Sequence, residues 1–499
     1  MNLASLLETT AGRGPGSVAI VFDGSAITYV DLLQRSRRVA AGLSALGVGP
    51  TDRVALWMGN HPAFAEALYG AWHVGAVVVP VHAGLTEPEA KHVLSDSGAK
   101  VVFAGGAQAA SARTLASSVT TLERAIVLGD DYDTFVQTSG GSTAPDAPAI
   151  ASMSADDLAL IGYTAGTSGV PKGAMLTHGN LFANVEQMRE TPVAFGPDDV
   201  VLCILPLFHI YGLNVVLNLS VAVGAKVVLL ERFDPRSSVD AMRSELVTVI
   251  AGAPPAYVAW VAADIPSDAF SNVRVAVSGA APLPKEVLEA FRDRFGVTIW
   301  EGYGLTETAP ALTTTAMGGV AKPGSVGRAV PRVELRLVDE VGDDVEDGDP
   351  GEIVVRGPNV FKGYWNRPED TDGAFLDGWF RTGDVGVSDD DGDIYIVDRR
   401  KDMVIVSGFN VYPREVEDVL RRHPNVGDVA VVGVPDPQTG EHVKAIVVAD
   451  PPGEDVTAEA LLEFADRYLA AYKIPKEIEV VGDIPRNAAG KVLRRELRT

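Results

Sequence analysis

The chain has 499 residues, of which 46% are hydrophobic and 22% charged, and its formal net charge is −24. At roughly 100–200 residues per domain, this length predicts two to four domains, and the composition is that of a globular protein. The negative charge would repel a phosphate backbone, so we expect no nucleic-acid binding. The single cysteine, Cys203, excludes internal disulfides and multi-cysteine metal sites and fits a cytoplasmic location.

No stretch of the sequence has the pattern of a signal peptide or a membrane span. The first residues lack a basic region, and Glu8 interrupts their short apolar run. The most apolar stretch, residues 214–230, contains Asn218, Ser220 and Lys226, so it lacks the roughly 20 continuous apolar residues that a spanning helix needs. We therefore expect no integral membrane association.

The first 150 residues alternate between helical and strand patterns. Helices are predicted at residues 29–46 and 63–74, and short apolar strands at residues 53–57 and 76–81. Strands that alternate with helices of this length indicate βαβ units and a mainly parallel sheet. Residues 138–157, rich in Ser, Ala, Gly, Pro and Asp, are predicted to form a loop.

The pattern of predicted strands and helices changes in the second half of the chain. A strand at 158–163 and an α/β pattern from 200 to about 310 are followed by short strands and Asp/Gly/Pro turns over 329–398, which indicate a β-rich subdomain. A compact unit follows, with helices predicted at 413–422 and 458–472 and strands at 426–434 and 442–448. We predict an α/β fold, with a large N-terminal domain of mainly parallel sheets plus the β-rich subdomain (1–400) and a small α+β C-terminal domain (401–499).

A glycine-rich turn follows the strand at 158–163 and reads Tyr-Thr-Ala-Gly-Thr-Ser-Gly-Val-Pro-Lys-Gly. Glycines let backbone N–H groups approach a phosphate, hydroxyls add donors, and the lysine adds positive charge. The motif is not a Walker A loop, because its lysine follows a proline and precedes a glycine, so a P-loop kinase or GTPase loses support. A plain surface turn is the alternative. The candidate phosphate ligands are Thr164, Ala165, Gly166, Thr167, Ser168, Gly169 and Lys172.

A second motif, Trp-Glu-Gly-Tyr-Gly-Leu-Thr-Glu-Thr, covers residues 300–308. Tyr303, flanked by glycines, is suited to stacking on a purine. Thr306 is suited to a phosphate oxygen, and Glu307 offers the hard oxygen ligand that Mg²⁺ prefers. The structural alternative is a strand end with an exposed tyrosine.

Two more motifs lie in the last quarter of the chain. Residues 379–384, Trp-Phe-Arg-Thr-Gly-Asp, present Asp384 for ribose hydroxyls or as a simple turn cap. Residues 485–491, Pro-Arg-Asn-Ala-Ala-Gly-Lys, place Lys491 on a glycine-bearing loop, where an isolated lysine is usually solvated. In this order and spacing, the four motifs resemble the adenylate-forming superfamily, above all bacterial fatty-acyl-CoA synthetases and coumarate-CoA ligases. The resemblance runs from residue 29 to residue 491.

The resemblance implies a site for ATP. Residues 164–172 would wrap the β- and γ-phosphates, and Thr164 and Glu307 would face Mg²⁺. The residues that it implies around the nucleoside are Gly279, Glu301, Gly302 and Tyr303 at the adenine and Asp384 and Arg399 at the ribose.

The resemblance also implies that the C-terminal domain is mobile. Lys491 would bridge the attacking carboxylate and the α-phosphate in a first step, and Lys401 would be the hinge that turns the domain for a second step with a thiol. One departure is Ile405, which replaces a phosphate-facing lysine of many relatives. The residues implied in the CoA channel are Ser407, Gly408 and Phe409.

The segments that would surround the acyl group are 208–213, 251–257, 278–282 and 302–312, and none contains Lys or Arg. A pocket without a cation disfavours malonate-like diacids, because their second carboxylate would be buried without a partner. His209 stands where amino-acid-activating relatives carry an aspartate, which disfavours an α-amino acid. It resembles a gate residue, although a structural histidine is the alternative. The candidate pocket residues are His209, Tyr211, Tyr257, Gly302, Gly304 and Ala309.

The resemblance therefore implies an acid–thiol ligase that uses ATP, Mg²⁺ and CoA, and we favour a medium- or long-chain fatty acid over an aryl acid as its substrate. An acyl-AMP ligase that loads a carrier protein is an alternative, although the insertion near the hinge that such enzymes carry is absent between residues 330 and 411. Luciferase-like oxidation of an adenylate also remains open. A non-catalytic nucleotide-binding module is disfavoured, because it would need neither Glu307 nor Lys491.

Overall fold

The structure is a computed structural model that describes residues 1–138, 148–164, 171–399, 402–406, 409–436, 440–450, 456–469, 473–486 and 492–498. The chain forms two compact units. The first comprises Met1–Glu334 and Val355–Phe380, and the second Leu335–Val354 and Arg381–Thr499. Both combine helices with sheets, so the predicted α/β class is confirmed.

The helices mostly begin where the sequence supplies a cap or a proline. In chain order they are α1 (Ala4–Arg13), α2 (Tyr29–Ala45), α3 (Pro62–His73), α4 (Glu87–Ser97), α5 (Ala109–Ser118), α6 (Asp130–Thr138), α7 (His178–Arg189), α8 (Leu219–Val223), α9 (Pro235–Glu245), α10 (Pro254–Ala262), α11 (Lys285–Phe295), α12 (Pro368–Ala374), α13 (Pro413–Leu420) and α14 (Ala458–Asp466). Helix α2, for example, starts with a capping box between Thr28 and Asp31. Among the residues described, no helix has the length and apolar character needed to cross a membrane.

Most of the strands are short. In chain order they are β1 (Val18–Phe22), β2 (Ser25–Thr28), β3 (Arg53–Trp57), β4 (Val77–Pro80), β5 (Ala99–Ala104), β6 (Arg124–Val127), β7 (Leu158–Thr164), β8 (Lys172–Thr177), β9 (Val200–Cys203), β10 (Lys226–Leu229), β11 (Val249–Gly252), β12 (Val275–Ser278), β13 (Ile299–Gly304), β14 (Ala311–Thr314), β15 (Ser325–Ala329), β16 (Glu334–Val338), β17 (Gly351–Arg356), β18 (Phe375–Leu376), β19 (Trp379–Ser388), β20 (Ile394–Arg399), β21 (Val404–Val406), β22 (Phe409–Val411), β23 (Val426–Asp436), β24 (Gly440–Ala449) and β25 (Glu477–Val481).

Two largely parallel arrays of strands form the first unit. One sheet has the order β6-β5-β3-β4-β7-β8, in which β7 and β8 form an antiparallel hairpin. In the other array, β1, β10, β9, β11, β12 and β13 are successive parallel neighbours. Parallel strands are covered on both faces, which explains why they read as continuous apolar runs.

The predicted β-rich segment, residues 329–398, is divided between the two units, because residues 329–334 and 355–380 belong to the first and residues 335–354 and 381–398 to the second. Strands β16, β17, β19 and β20 are neighbours in that order, and β19 and β20 are antiparallel. A five-stranded sheet has the order β22-β21-β24-β23, with β25 parallel to β24. Apolar residues of α13 and α14, among them Val416, Leu420 and Leu461, pack with β23 and β24 in one core.

Two predicted segments run into residues that the structure does not describe. The predicted loop at 138–157 begins where α6 ends at Thr138, and residues 139–147 lie outside the described part of the chain. Helix α14 ends at Asp466 rather than at residue 472, and residues 470–472 are also outside the described part. One feature was not predicted: residues Tyr211–Asn218 form a π-helix, a wide turn that is frequent at functional sites.

Candidate active site

The predicted acyl-pocket segments follow the carboxyl ends of four adjacent parallel strands. Strands β9, β11, β12 and β13 are neighbours in the order β13-β12-β11-β9. The segments that follow or end them carry, respectively, His209 with Tyr211, Tyr257, Gly279, and Gly302 with Gly304. Ligands bind at this edge of open parallel sheets, so the fold gathers the predicted residues where a substrate site is expected.

The ring of Tyr211 lies next to Gly279, which follows β12. A Cβ added to Gly279 would lie 3.2 Å from Cε1 of Tyr211 and 3.3 Å from the carbonyl oxygen of Gly302, so the glycine lets the ring approach the strand ends. The Tyr211 hydroxyl is buried and has no hydrogen-bond partner among the residues described, and the same is true of Oγ of Ser278. An unpaired buried hydroxyl costs free energy, so both groups are candidate donors to a ligand.

His209 lies two residues before the π-helix, and a hydrogen bond holds its ring. Its Nδ1 accepts a hydrogen bond from the backbone N–H of Tyr211 at 3.2 Å. Burial, aided by the nearby His82, lowers the pKa of His209 to about 4. The imidazole is therefore neutral at neutral pH and brings no positive charge to the site.

Three other predicted pocket residues have structural contacts. Tyr257 is fully buried against aromatic rings of the core, and its hydroxyl donates to the carbonyl oxygen of Val277 at 2.8 Å. A Cβ on Gly304 would lie 1.8 Å from the carbonyl oxygen of Pro310, so a side chain there would force the backbone apart. The carbonyl oxygen of Ala309 accepts a hydrogen bond from Nδ2 of Asn214 at 2.7 Å. The sequence analysis did not single out Asn214, although an asparagine within an apolar run indicates a buried polar contact.

The glycine-rich turn connects the two strands of the β7–β8 hairpin. Thr164 and Lys172 are paired across this hairpin, and Oγ1 of Thr164 donates to the carbonyl oxygen of Lys172 at 3.5 Å. The predicted ligands between them, residues 165–169, lie outside the described part of the chain. Nζ of Lys172 forms an ion pair with Asp370 and lies 5.5 Å from the ring centroid of Tyr364.

Thr306 and Glu307 form a short 3₁₀ turn that meets this hairpin. A Cβ added to Gly162 would lie 2.7 Å from Cγ2 of Thr306, so Thr306 packs directly on β7. Glu307 is 7% exposed, and its Oε1 accepts a hydrogen bond from the hydroxyl of Tyr364 at 2.9 Å. The turn therefore places a carboxylate beside the strand that leads into the glycine-rich turn.

Three of the four predicted adenine-pocket residues lie along β13, and the fourth, Gly279, directly follows β12. Gly302 and Tyr303 pair with Thr314 and Thr313 of the antiparallel strand β14, and Tyr303 is half-buried. Glu301 is buried, and its Oε2 accepts a hydrogen bond from the backbone N–H of Leu283 at 3.3 Å. The strand thus fixes the backbone of all three predicted residues.

The second unit contains the other predicted ligands. Asp384 and Arg399, predicted at the ribose, are directly paired on β19 and β20. Asp384 is 3% exposed and follows Gly383, whose φ of 73° favours glycine. Phe409 begins β22. The side chains of Arg399, Ile405 and Phe409, and the whole of Lys401, Ser407, Gly408 and Lys491, lie outside what the structure describes.

Tyr364 and Asp370 were missed by the sequence analysis. They lie in a segment, residues 361–370, that has no phosphate-binding pattern, and they reach Glu307 and Lys172 through contacts that span 57 and 198 residues of chain. The Gly-Tyr-Trp triplet at 363–365 is the one local signal, since it places an aromatic pair next to a glycine.

Comparisons with known proteins match this arrangement. The family model for AMP-binding enzymes matches residues 7–365, and that for the AMP-binding enzyme C-terminal domain matches residues 415–491. A feruloyl-CoA synthase from Amycolatopsis sp is 41% identical over 98% of this chain and 96% of its own. A long-chain-fatty-acid–CoA ligase from Salmonella typhimurium is 37% identical over 100% of this chain and 94% of its own. ATP-bound MatB from Rhodopseudomonas palustris superimposes with a TM-score of 0.92 at 35% identity, over 100% of this chain and 98% of that one.

The chain belongs to the family of AMP-binding enzymes, the adenylate-forming superfamily that the motifs predict. It is an AMP-forming, ATP-dependent acyl- or aryl-CoA ligase, whose substrates are a small-molecule carboxylic acid, ATP and CoA. The relatives divide between aryl and fatty acids, so they leave the acid itself to be argued from the site.

Proposed function

We propose that the enzyme converts a hydrophobic monocarboxylic acid to its CoA thioester through an acyl-adenylate, with medium- or long-chain fatty acids preferred. The observation that carries this proposal is the edge of the parallel strands, where the segments facing the acyl group contain no Lys or Arg. Because its pKa is lowered to about 4, His209 adds no charge at neutral pH. A second carboxylate would therefore be buried without a cationic partner.

Activation is needed because a carboxylate is a poor acyl donor. Attack of a carboxylate oxygen on the α-phosphorus of ATP forms the acyl-adenylate and releases pyrophosphate, and AMP then leaves when the thiol of CoA attacks the carbonyl carbon. The first step brings two anions together, so preorganised cations and dipoles are required. In this proposal Lys172 and the turn at 164–169 bind the phosphates, and Lys491 neutralises the approach to the α-phosphate.

Mg²⁺ fits the oxygen donors on the phosphate side of the site. Glu307 supplies a buried carboxylate, and Thr164 supplies a hydroxyl at the end of β7. One or two protein oxygens are what a magnesium site shared with nucleotide phosphates uses. When bound, the ion would offset the charge of the phosphates, while Glu307 and Thr306 hold their positions against β7.

We also propose that residues 401–499 turn about Lys401 between the two steps, withdrawing Lys491 and bringing Ser407, Gly408 and Phe409 to the pantetheine arm of CoA. Lys401→Pro fixes φ at this position. We expect acid-dependent pyrophosphate release to survive in this variant while thioester formation collapses. An equal loss of both steps in a folded variant would contradict the hinge.

A phenolic acid such as ferulate is the second candidate substrate. The specific observation in its favour is that the hydroxyls of Tyr211 and Ser278 are buried without partners among the described residues, and 41% identity to a feruloyl-CoA synthase adds weight. A polar substituent on an aromatic acid would satisfy these groups, whereas a fatty-acyl chain would not.

A panel of acids distinguishes these candidates. Octanoate, palmitate, cinnamate, 4-hydroxycinnamate, ferulate and malonate would be compared by AMP release with and without CoA. For fatty acids, each added methylene should contribute about 0.8 kcal/mol until the pocket is full. A preference for 4-hydroxycinnamate over cinnamate that disappears in Tyr211→Phe would favour the phenolic acid instead, and malonate as the best substrate would contradict both. Thioester formation on a carrier protein but not on CoA would identify an acyl-AMP ligase.

A further inference from the structure

Backbone pairing with β8 fixes the position of Tyr364. The N–H of Lys362 donates to the carbonyl oxygen of Met175 at 2.9 Å, and the N–H of Met175 donates to the carbonyl oxygen of Gly363 at 2.9 Å. A β-bridge joins Tyr364 to Ala174. Tyr364 therefore lies opposite the strand that begins at Lys172.

The Tyr364 side chain contacts two candidate groups of the ATP site with two different parts. Its hydroxyl donates to Oε1 of Glu307 at 2.9 Å, while its ring lies 5.5 Å from Nζ of Lys172. A phenol hydroxyl is a hydrogen-bond donor, and this one is aimed at a carboxylate oxygen. The backbone adds a second link, since the N–H of Phe361 donates to the carbonyl oxygen of Glu307 at 2.8 Å.

We propose that Tyr364 is a positioning residue for the adenylation step: its hydroxyl fixes the carboxylate of Glu307 toward Mg²⁺–ATP, and its ring holds Lys172 beside the phosphates. The inference rests on the proposed function, in which Glu307 and Lys172 serve the nucleotide. A neutral donor orients a carboxylate without neutralising it. Loss of such an outer partner of a metal ligand typically costs 10–100-fold in metal affinity or activity.

Two substitutions separate the two contacts. Tyr364→Phe removes the hydroxyl and keeps the ring, so we expect the Mg²⁺ concentration for half-maximal pyrophosphate release to rise about 10-fold or more, with little change in KM for ATP at saturating Mg²⁺. Tyr364→Leu also removes the ring. It should raise KM for ATP a further two- to fivefold, the usual size of a cation–π contact.

A matched control lies elsewhere in the same unit. The hydroxyl of Tyr132 donates to Oε2 of the buried Glu66 at 2.6 Å, so Tyr132→Phe loses the same kind of bond away from the site. Its Mg²⁺ dependence should equal that of the unmodified enzyme. Calorimetric titration of ATP at several Mg²⁺ concentrations, without acid or CoA, gives a readout independent of turnover, and Tyr364→Phe should show the weakened Mg²⁺ dependence there too.

The double variant Tyr364→Phe with Glu307→Gln identifies the path of the effect. If Tyr364 acts through Glu307, the double variant is no worse than Glu307→Gln alone. Additive losses, or an unchanged Mg²⁺ dependence in Tyr364→Phe, would overturn the positioning role while leaving the proposed function intact. A normal Mg²⁺ dependence in Glu307→Gln would instead overturn the role of Glu307, and the inference about Tyr364 with it.

Discussion

Two buried glutamates of the first unit accept a hydrogen bond from a tyrosine, yet their surroundings differ. At Glu66, the hydroxyl of Tyr132 donates to one carboxylate oxygen at 2.6 Å and Nε of Arg35 donates to the other at 2.6 Å. Arg35 and Glu66 thus form an ion pair within the fold. Such an arrangement joins α2, α3 and α6 and needs no ligand.

At Glu307, a tyrosine also donates to the carboxylate, and a lysine lies near the ring of that tyrosine. Tyr364 donates to the carboxylate, while Lys172, which lies over the same ring, pairs with Asp370. Tyr364 thus contacts both a carboxylate and a cation that the proposed function assigns to the nucleotide. The contrast teaches that a Tyr–Glu bond alone does not distinguish a candidate functional carboxylate from a structural one, and that the cation nearby must be considered: Arg35 pairs with Glu66 itself, whereas Lys172 pairs with Asp370.

The largest expected effect follows from replacing the candidate functional carboxylate. Glu307→Gln keeps the size of the side chain and an acceptor for Tyr364 but removes the charge. We expect pyrophosphate release to slow by 10²–10³-fold, or about 2.7–4 kcal/mol, which is the usual cost of losing one preorganised electrostatic group. The melting temperature should change little. A rate within threefold of the unmodified enzyme would place Glu307 with Glu66 among the structural carboxylates.

Two histidines of the first unit make the free energy of unfolding depend on pH. Burial, aided by the N-terminal amine, lowers the pKa of His178 from 6.5 to about 4, and burial, aided by His82, lowers the pKa of His209 to about 4 as well. Between pH 6.5 and pH 4, the unfolded chain binds more protons than the folded chain. The free energy of unfolding therefore falls as the pH falls from 6.5 toward 4. At about 1.4 kcal/mol for each pKa unit, His178 should contribute about 3 kcal/mol to this loss.

Urea unfolding of the enzyme and of His178→Asn at pH 7, 5.5 and 4.5 checks this effect. Asparagine retains an acceptor for the N–H of Leu3, which donates to Nδ1 of His178 at 3.3 Å. The variant should lose less stability over this pH range, since carboxylates contribute equally to both proteins. Parallel losses would mean that His178 is protonated in the folded state.

The smallest effect is expected at the structural carboxylate. Glu66→Gln removes the charge that Arg35 pairs with, and because Arg35 is 37% exposed, water compensates it in part. We expect a loss of about 2 kcal/mol in the free energy of unfolding, the usual value of a hydrogen bond to a charged group. Pyrophosphate release by the folded variant should be unchanged, and a hundredfold loss there would remove the contrast with Glu307.

Much of the fold could be predicted from local pattern. The strand at 53–57 matches β3, and the helix at 29–46 matches α2 to within one residue, because alternation and capping are encoded by neighbours in sequence. The π-helix Tyr211–Asn218 could not be predicted. Nδ2 of Asn214 donates there to the carbonyl oxygens of Leu181 and Ala309, and such distant partners leave no periodic trace in the sequence.

The candidate site shows the same division. Thr164, Lys172 and Glu307 stand in motifs whose residue types suggest their chemistry, so they were predicted. Tyr364 and Asp370 were not, since their importance lies in which side chains they touch, and that depends on pairing between β8 and a segment almost 200 residues later.

The acyl-adenylate mechanism is tested most directly at Lys491. Lys491→Ala would be given acid and ATP in one experiment, and presynthesised acyl-adenylate and CoA in another, with pyrophosphate and thioester followed separately. We predict pyrophosphate release slowed at least 10²–10³-fold and near-normal thioester formation, because the lysine would have been turned away before the second step. A thousandfold loss of thioester formation as well would contradict the proposed division of the reaction between two orientations of the C-terminal domain.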